Sequence, residues 1–63
     1  MFMNIEIERI RLHMSKATLA RKLAITPAEL DEWIARKRAI PAEKLRALSQ
    51  VFNGCSVDYL LKT

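Results

Sequence analysis

Thr26-Pro27-Ala28-Glu29 is the strongest punctuation in the chain. A threonine before proline, with glutamate three positions after it, marks a capped helix start. The hydroxyl accepts a backbone N–H from the first turn, the carboxylate reaches back to the cap, and proline suits the first helical position because its missing N–H would be unpaired there. Only Ala24 and Ile25 separate this cap from Leu23, which ends the apolar stripe Leu19, Ala20, Leu23. That stripe follows a second good N-cap, Ser15. Two short helices joined by so tight a turn must cross closely, and Ala20 is small where they do. The pair, a helix-turn-helix over about residues 15–35, commits the chain to an all-α fold. One glycine and two prolines in 63 residues agree, because a hairpin-rich fold needs a turn residue at every reversal.

The remaining punctuation predicts five helices in one domain spanning 1–63. The first runs from about Asn4 to Leu12, with Met3, Ile7, Ile10 and Met14 at helical spacing. The same stretch also alternates as Ile5, Ile7, then Ile10, Leu12, Met14, so a strand is its rival. The fourth helix begins at Pro41, carries Leu45, Leu48 and Phe52, and stops at Gly54, a residue suited to the left-handed position past a helix end. Ser56 caps a short fifth helix. The predicted core is Ile7, Ile10, Leu19, Ala20, Leu23, Ile25, Leu30, Trp33, Ile34, Leu45, Leu48, Phe52, Val57, Leu60 and Leu61. No helix is long enough to be stable alone, so packing must hold all five.

Size and composition exclude much. A chain this short buries only about 60% of the surface its unfolded form exposes, which leaves little room for an enclosed catalytic pocket. One cysteine permits no internal disulfide and no cysteine-based zinc site. Small secreted domains usually depend on such staples, so a cytoplasmic address is expected. No apolar run is long enough to span a membrane. His13 has no second ligand at metal spacing and reads as a turn residue. Cys55 has no neighbouring base and reads as a small apolar filler. Glu29, Asp31 and Glu32 lie along an open helix and do not face each other in a cleft. The expectation is a protein that is not an enzyme and uses no metal or cofactor.

The charge is +4 overall, and it is distributed in blocks. Residues 9–22 carry +5 and residues 36–46 carry +4, while residues 23–35, which include the third helix, carry −3. Arg36-Lys37-Arg38 stands in the loop after that helix. Three adjacent cations suit phosphate contacts, and equally suit a solvated loop that keeps the chain soluble.

From Ser15 to Thr26, Ser-Lys-Ala-Thr-Leu-Ala-Arg-Lys-Leu-Ala-Ile-Thr resembles the opening of the Cro and lambda-repressor type of helix-turn-helix. Trp33, Arg36-Lys37-Arg38, Ile40-Pro41 and the ending Cys55-Ser56-Val57-Asp58-Tyr59-Leu60-Leu61 continue the likeness, which covers about residues 7–61. The resemblance implies a compact five-helix, lambda-repressor-like domain, usually a phage or bacterial transcriptional regulator. Such domains commonly bind operator DNA as homodimers with the third helix in the major groove. Position by position it implies Thr26, Pro27, Ala28 and Glu32 as base readers. Lys16, Arg36, Lys37, Arg38 and Lys44 are the phosphate-contact candidates. Val57, Tyr59 and Leu61 are candidates for a dimer interface, although Tyr59 is as readily a half-buried residue of the domain itself.

This chain departs from the family pattern at the reading positions. Family members often place Gln, Arg, Ser or Asn there, whereas Pro27 and Ala28 offer only apolar contact, for instance to a thymine methyl, and Glu32 can only accept. Ala24 also stands where glycine is usual. The leading expectation is a sequence-specific DNA-binding repressor. The alternative is a protein-interaction module on the same fold, a modulator or antirepressor whose acidic third helix binds another regulator.

Overall fold

Three hydroxyl side chains set where the helices start. In the computed structural model, which describes residues 1–62, Ser15 Oγ accepts from the Thr18 N–H, Thr26 Oγ1 from the Glu29 N–H and Ser56 Oγ from the Tyr59 N–H, each at 3.1 Å. The helices are α1 (Met3–Arg11), α2 (Lys16–Lys22), α3 (Pro27–Ile34), α4 (Ala42–Val51) and α5 (Val57–Leu60), and the described residues contain no strand. The rival strand at the N-terminus is thereby set aside. Pro41 turns out to be the N-cap of α4, with extended backbone, and not its first helical residue. The capping box at Thr26 closes on one side only, because the Glu29 carboxylate turns instead toward Arg38, 3.8 Å away.

The first four helices all end alike. His13, Ala24, Arg36 and Asn53 each follow a helix in the left-handed region, with φ of 57°, 58°, 63° and 60°. The N–H of the next residue reaches back to the final turn: Met14 to Arg9, Ile25 to Ala20, Lys37 to Glu32 and Gly54 to Ser49. This paired closure satisfies carbonyls that would otherwise be orphaned, and glycine is its usual occupant at the left-handed position. Here none of the four is glycine. Gly54 sits one residue further on, at φ 85°.

Ile5, Leu19, Ala20, Leu23, Leu30, Trp33, Ile34, Leu48, Phe52 and Leu60 form the buried core. α2 packs on α3, α1 on α3 and α5, and α4 on α5. Ile25 and Leu45 are half-buried against that core, while Val57 and Leu61 are half-buried at its edge. The larger correction concerns α1. Ile7 and Ile10, expected inside, are 47% and 60% exposed, and Ile5 and Glu8 face inward in their place. Apolar residues lie on two opposite sides of this helix, Met3, Ile7 and Ile10 on one and Ile5 with Leu12 on the other, and the side with the longer stripe is the one left outside. The Phe2 N–H bonded to the Ile34 carbonyl (2.8 Å) and Asn4 Nδ2 bonded to the Tyr59 carbonyl (2.7 Å) fix its rotation. Trp33 is buried as expected, but its indole Nε1 has no hydrogen-bond partner among the described residues. An orphaned buried donor of this kind costs about 1–3 kcal/mol.

Candidate nucleic-acid interface

α3 buries Leu30, Trp33 and Ile34 on one side. At 100° per residue, Ala28, Asp31, Glu32 and Ala35 then lie opposite, with Thr26 and Pro27 exposed at the N-terminal end. Two cations bracket this outer face. Lys16 Nζ is 2.8 Å from Asp31 Oδ1 on one flank, and on the other Arg38 lies 3.4 Å from Glu32 and 3.8 Å from Glu29. The hydrogen bond and charge of Asp31 raise the Lys16 ammonium above its ordinary range. Charge blocks that are separate along the chain are therefore interleaved in space. The acids of α3 are met by cations from α2 and from the loop before α4.

The five phosphate-contact candidates fall into different situations. Lys44 Nζ donates to the Leu23 carbonyl at 2.7 Å from a half-buried position, so it caps the C-terminal end of α2, where a cation is favoured by the helix dipole. Its tether makes it a brace of the helix-turn-helix more than a grip on a ligand. Arg36 stands with its guanidinium 5.3 Å from the centre of the Phe2 ring, a cation–π distance. Lys16 and Arg38 are ion-paired but about half exposed. Lys37 is exposed and makes no ion pair among the described residues. Exposed pairs contribute only about 0.2–1 kcal/mol, so a phosphate can displace either carboxylate at little cost.

The chain also matches a known family: the family model described as "Bacterial toxin YdaS" covers residues 7–61. The chain belongs to the YdaS family. These are small bacterial, phage-associated proteins, and the matched span in this YdaS-family member takes in every candidate reader and phosphate contact while leaving Phe2 outside. No curated protein and no solved structure matches the chain. No helix among the described residues is long and apolar enough to cross a membrane.

A second polar cluster escapes reading by periodicity. Glu8, 5% exposed, accepts from Arg11 Nε (2.9 Å), from Arg11 Nη2, from the Tyr59 hydroxyl (3.0 Å) and from the Cys55 thiol (3.7 Å). The Arg11 guanidinium holds the Glu8 carboxyl below its ordinary 4.5 against the opposing effect of burial, with Tyr59 helping. In turn the bond to Glu8 raises the Tyr59 phenol, and burial, then Glu8, raises the Cys55 thiol. Tyr59 thus spends its hydroxyl within the domain, although the residue as a whole remains 36% exposed. The only sequence signal for the cluster is the Glu8–Arg11 spacing of three.

Proposed function

We propose that this YdaS-family protein is a DNA-binding regulator of the Cro and lambda-repressor kind that acts in the cytoplasm by occupying duplex DNA, without chemistry. The observation that carries the reading is the outer face of α3, bracketed by Lys16 and Arg38 and followed by Arg36-Lys37. Base contacts fall to the exposed Thr26, Pro27 and Ala28, with Glu32 free to accept once Arg38 turns to a phosphate. Two apolar readers, one acceptor and one hydroxyl that already caps α3 supply little discrimination, so backbone grip dominates affinity and specificity leans on DNA shape and on the spacing of two copies. The alternative, an acidic third helix that binds another regulator, starts from acids whose charge the same ion pairs partly neutralise. Asp31, Glu29 and Glu32 already face cations of their own chain.

Anisotropy of a labelled random-sequence duplex tests this directly. Affinity should fall steeply between about 50 and 200 mM salt, and Lys37→Glu with Arg38→Glu should remove most of it. Lys37→Ala alone should reduce the salt slope by about 1, the mark of one lost phosphate contact. Absence of binding at the lowest salt would overturn the reading.

Two copies acting together are part of the proposal. Val57 and Leu61 are half-buried and Tyr59 is tethered to Glu8, yet Met3, Ile7 and Ile10 form an exposed apolar stripe on α1 pointing away from the core. Exposed apolar patches of about 300–600 Å² on a monomer are often functional. Sedimentation should show concentration-dependent pairing that Ile7→Glu plus Ile10→Glu abolishes while the helical signal persists. Pairing unaffected by that change but lost on Leu61→Glu would return the interface to the C-terminal end.

A further inference from the structure

A solvent-open groove of about 330 Å³ lies between the N-terminal segment, the loop before α4 and the C-terminal end. It is at the small end of ligand clefts, which run to about 1,000 Å³. Its recessed wall is apolar: Phe2, Ile40, Leu45 and Leu61 are all half-buried. Its lip is cationic, because the exposed Arg36, Lys37 and Arg38 line the same groove. The nearest acids that engage this lip, Glu29 and Glu32, both approach Arg38 and leave Lys37 without an ion pair among the described residues.

We infer that this groove docks an acidic protein segment, one that inserts an apolar side chain between Phe2, Ile40, Leu45 and Leu61 while flanking carboxylates meet the Arg36-Lys37-Arg38 lip. Charge complementarity selects the occupant. A neutral apolar ligand leaves the three cations unused. A nucleic-acid backbone engages the lip from outside but has nothing to place against an apolar wall. Only a chain that carries an apolar anchor between acids satisfies both halves. Clustered arginines that read acidic motifs, with an aromatic at the centre, are a recurrent docking device, and here Arg36 stacked over Phe2 supplies both in one contact. Docking would occupy cations that the proposed DNA contact also needs, so the segment and DNA should exclude each other. That consequence rests on the DNA-binding reading; docking itself does not.

The test uses the full chain and a short fluorescein-labelled peptide that alternates Asp and Glu with Leu and Phe. A control peptide keeps every acid and replaces each Leu and Phe with Ser. The apolar peptide should bind at least about tenfold more tightly than the control, as expected for one buried apolar side chain. Ile40→Ser, which adds no charge, should abolish that preference and change duplex affinity by less than about threefold, whereas Lys37→Glu should weaken peptide and duplex alike. Unlabelled apolar peptide should displace the duplex. Equal binding of the two peptides would overturn the proposal. So would peptide binding that survives Ile40→Ser in a folded protein, or duplex binding that falls in step with it, which would assign the groove to nucleic acid. Should Ile40→Ser unfold the chain by circular dichroism, Lys37→Glu and the Ser control still decide. If the apolar peptide binds and no duplex does, the groove stands and the DNA reading falls.

Discussion

α1 and the α2–α3 pair are built on opposite logics. In the pair, both helix starts are written locally: Ser15 and Thr26 accept the N–H groups of Thr18 and Glu29, and the apolar stripes Leu19, Ala20, Leu23 and Leu30, Trp33, Ile34 all end up buried. In α1 the inward face carries Ile5 and a carboxylate, Glu8, while Ile7 and Ile10 are left outside. A helix with apolar residues on two opposite sides has its rotation chosen by its neighbours. Here the choice falls to Asn4 and Glu8, both bonded to Tyr59. Local rules thus fix elements, and long-range polar contacts fix how an ambiguous element faces.

The sharpest way to break that contrast is to truncate Ile5 and Ile7 of α1 in turn. Ile5→Ala should cost about 2–5 kcal/mol, since Ile5 is fully buried. A chain of 63 residues holds only roughly 3–9 kcal/mol in total, so this one truncation should remove a large share of it. Ile7→Ala, two positions on, should change stability by under about 1 kcal/mol. Urea unfolding measures both. A loss on Ile7→Ala as large as or larger than that on Ile5→Ala would mean that Ile7 is buried at least as deeply, the facing that the Met3, Ile7, Ile10 spacing suggests.

A second test asks whether the Glu8 cluster matters to folding. The folded carboxyl lies below its ordinary 4.5, so the stability it contributes is present above that value and lost as pH falls through the lowered one. Melting temperature should drop below about pH 4.5 in the native chain, and less steeply in Glu8→Gln, which has no proton to take up there. On the alkaline side the raised Cys55 and Tyr59 act with the opposite sign. Their contribution is intact below their ordinary values of 9.0 and 10.0, and fades as pH climbs through the raised ones. Superimposable acid limbs for the native chain and Glu8→Gln would show that the cluster is decoration.

How much of this is legible in the sequence follows from the same contrast. The five elements, their caps and most of the core depend on contacts a few residues apart, and the residue types announce them. The site is legible only as a set of candidates. Lys16 and Arg38 do stand beside α3, but their pairing with Asp31, Glu29 and Glu32 depends on side chains 6–15 positions apart, and Lys44 reaches Leu23 across 21. No local pattern separates a cation that braces from one that grips. Glu8 reads as an ordinary surface acid until Tyr59 and Cys55, some fifty residues later, close over it.

The smallest effect tests the local side of the contrast at its weakest point, the turn between α2 and α3. Ala24 holds φ 58° there, is exposed, and its N–H bonds to the Arg21 carbonyl. A left-handed L-residue costs about 1–2 kcal/mol, because its Cβ crowds the following carbonyl. Glycine removes that strain but frees the unfolded chain, which costs back about 0.4–1 kcal/mol. Ala24→Gly should therefore stabilise by about 0.5–1 kcal/mol, read as a higher urea midpoint at unchanged slope. The gain should rank above that of His13→Gly, since histidine tolerates this region better than alanine, and above that of Asn53→Gly, since asparagine tolerates it well. The order, more than any single value, carries the argument. If alanine gains no more than asparagine, the left-handed ends of α1, α2 and α4 are held by the packing around them, and the turn between α2 and α3 is no more local than the facing of α1.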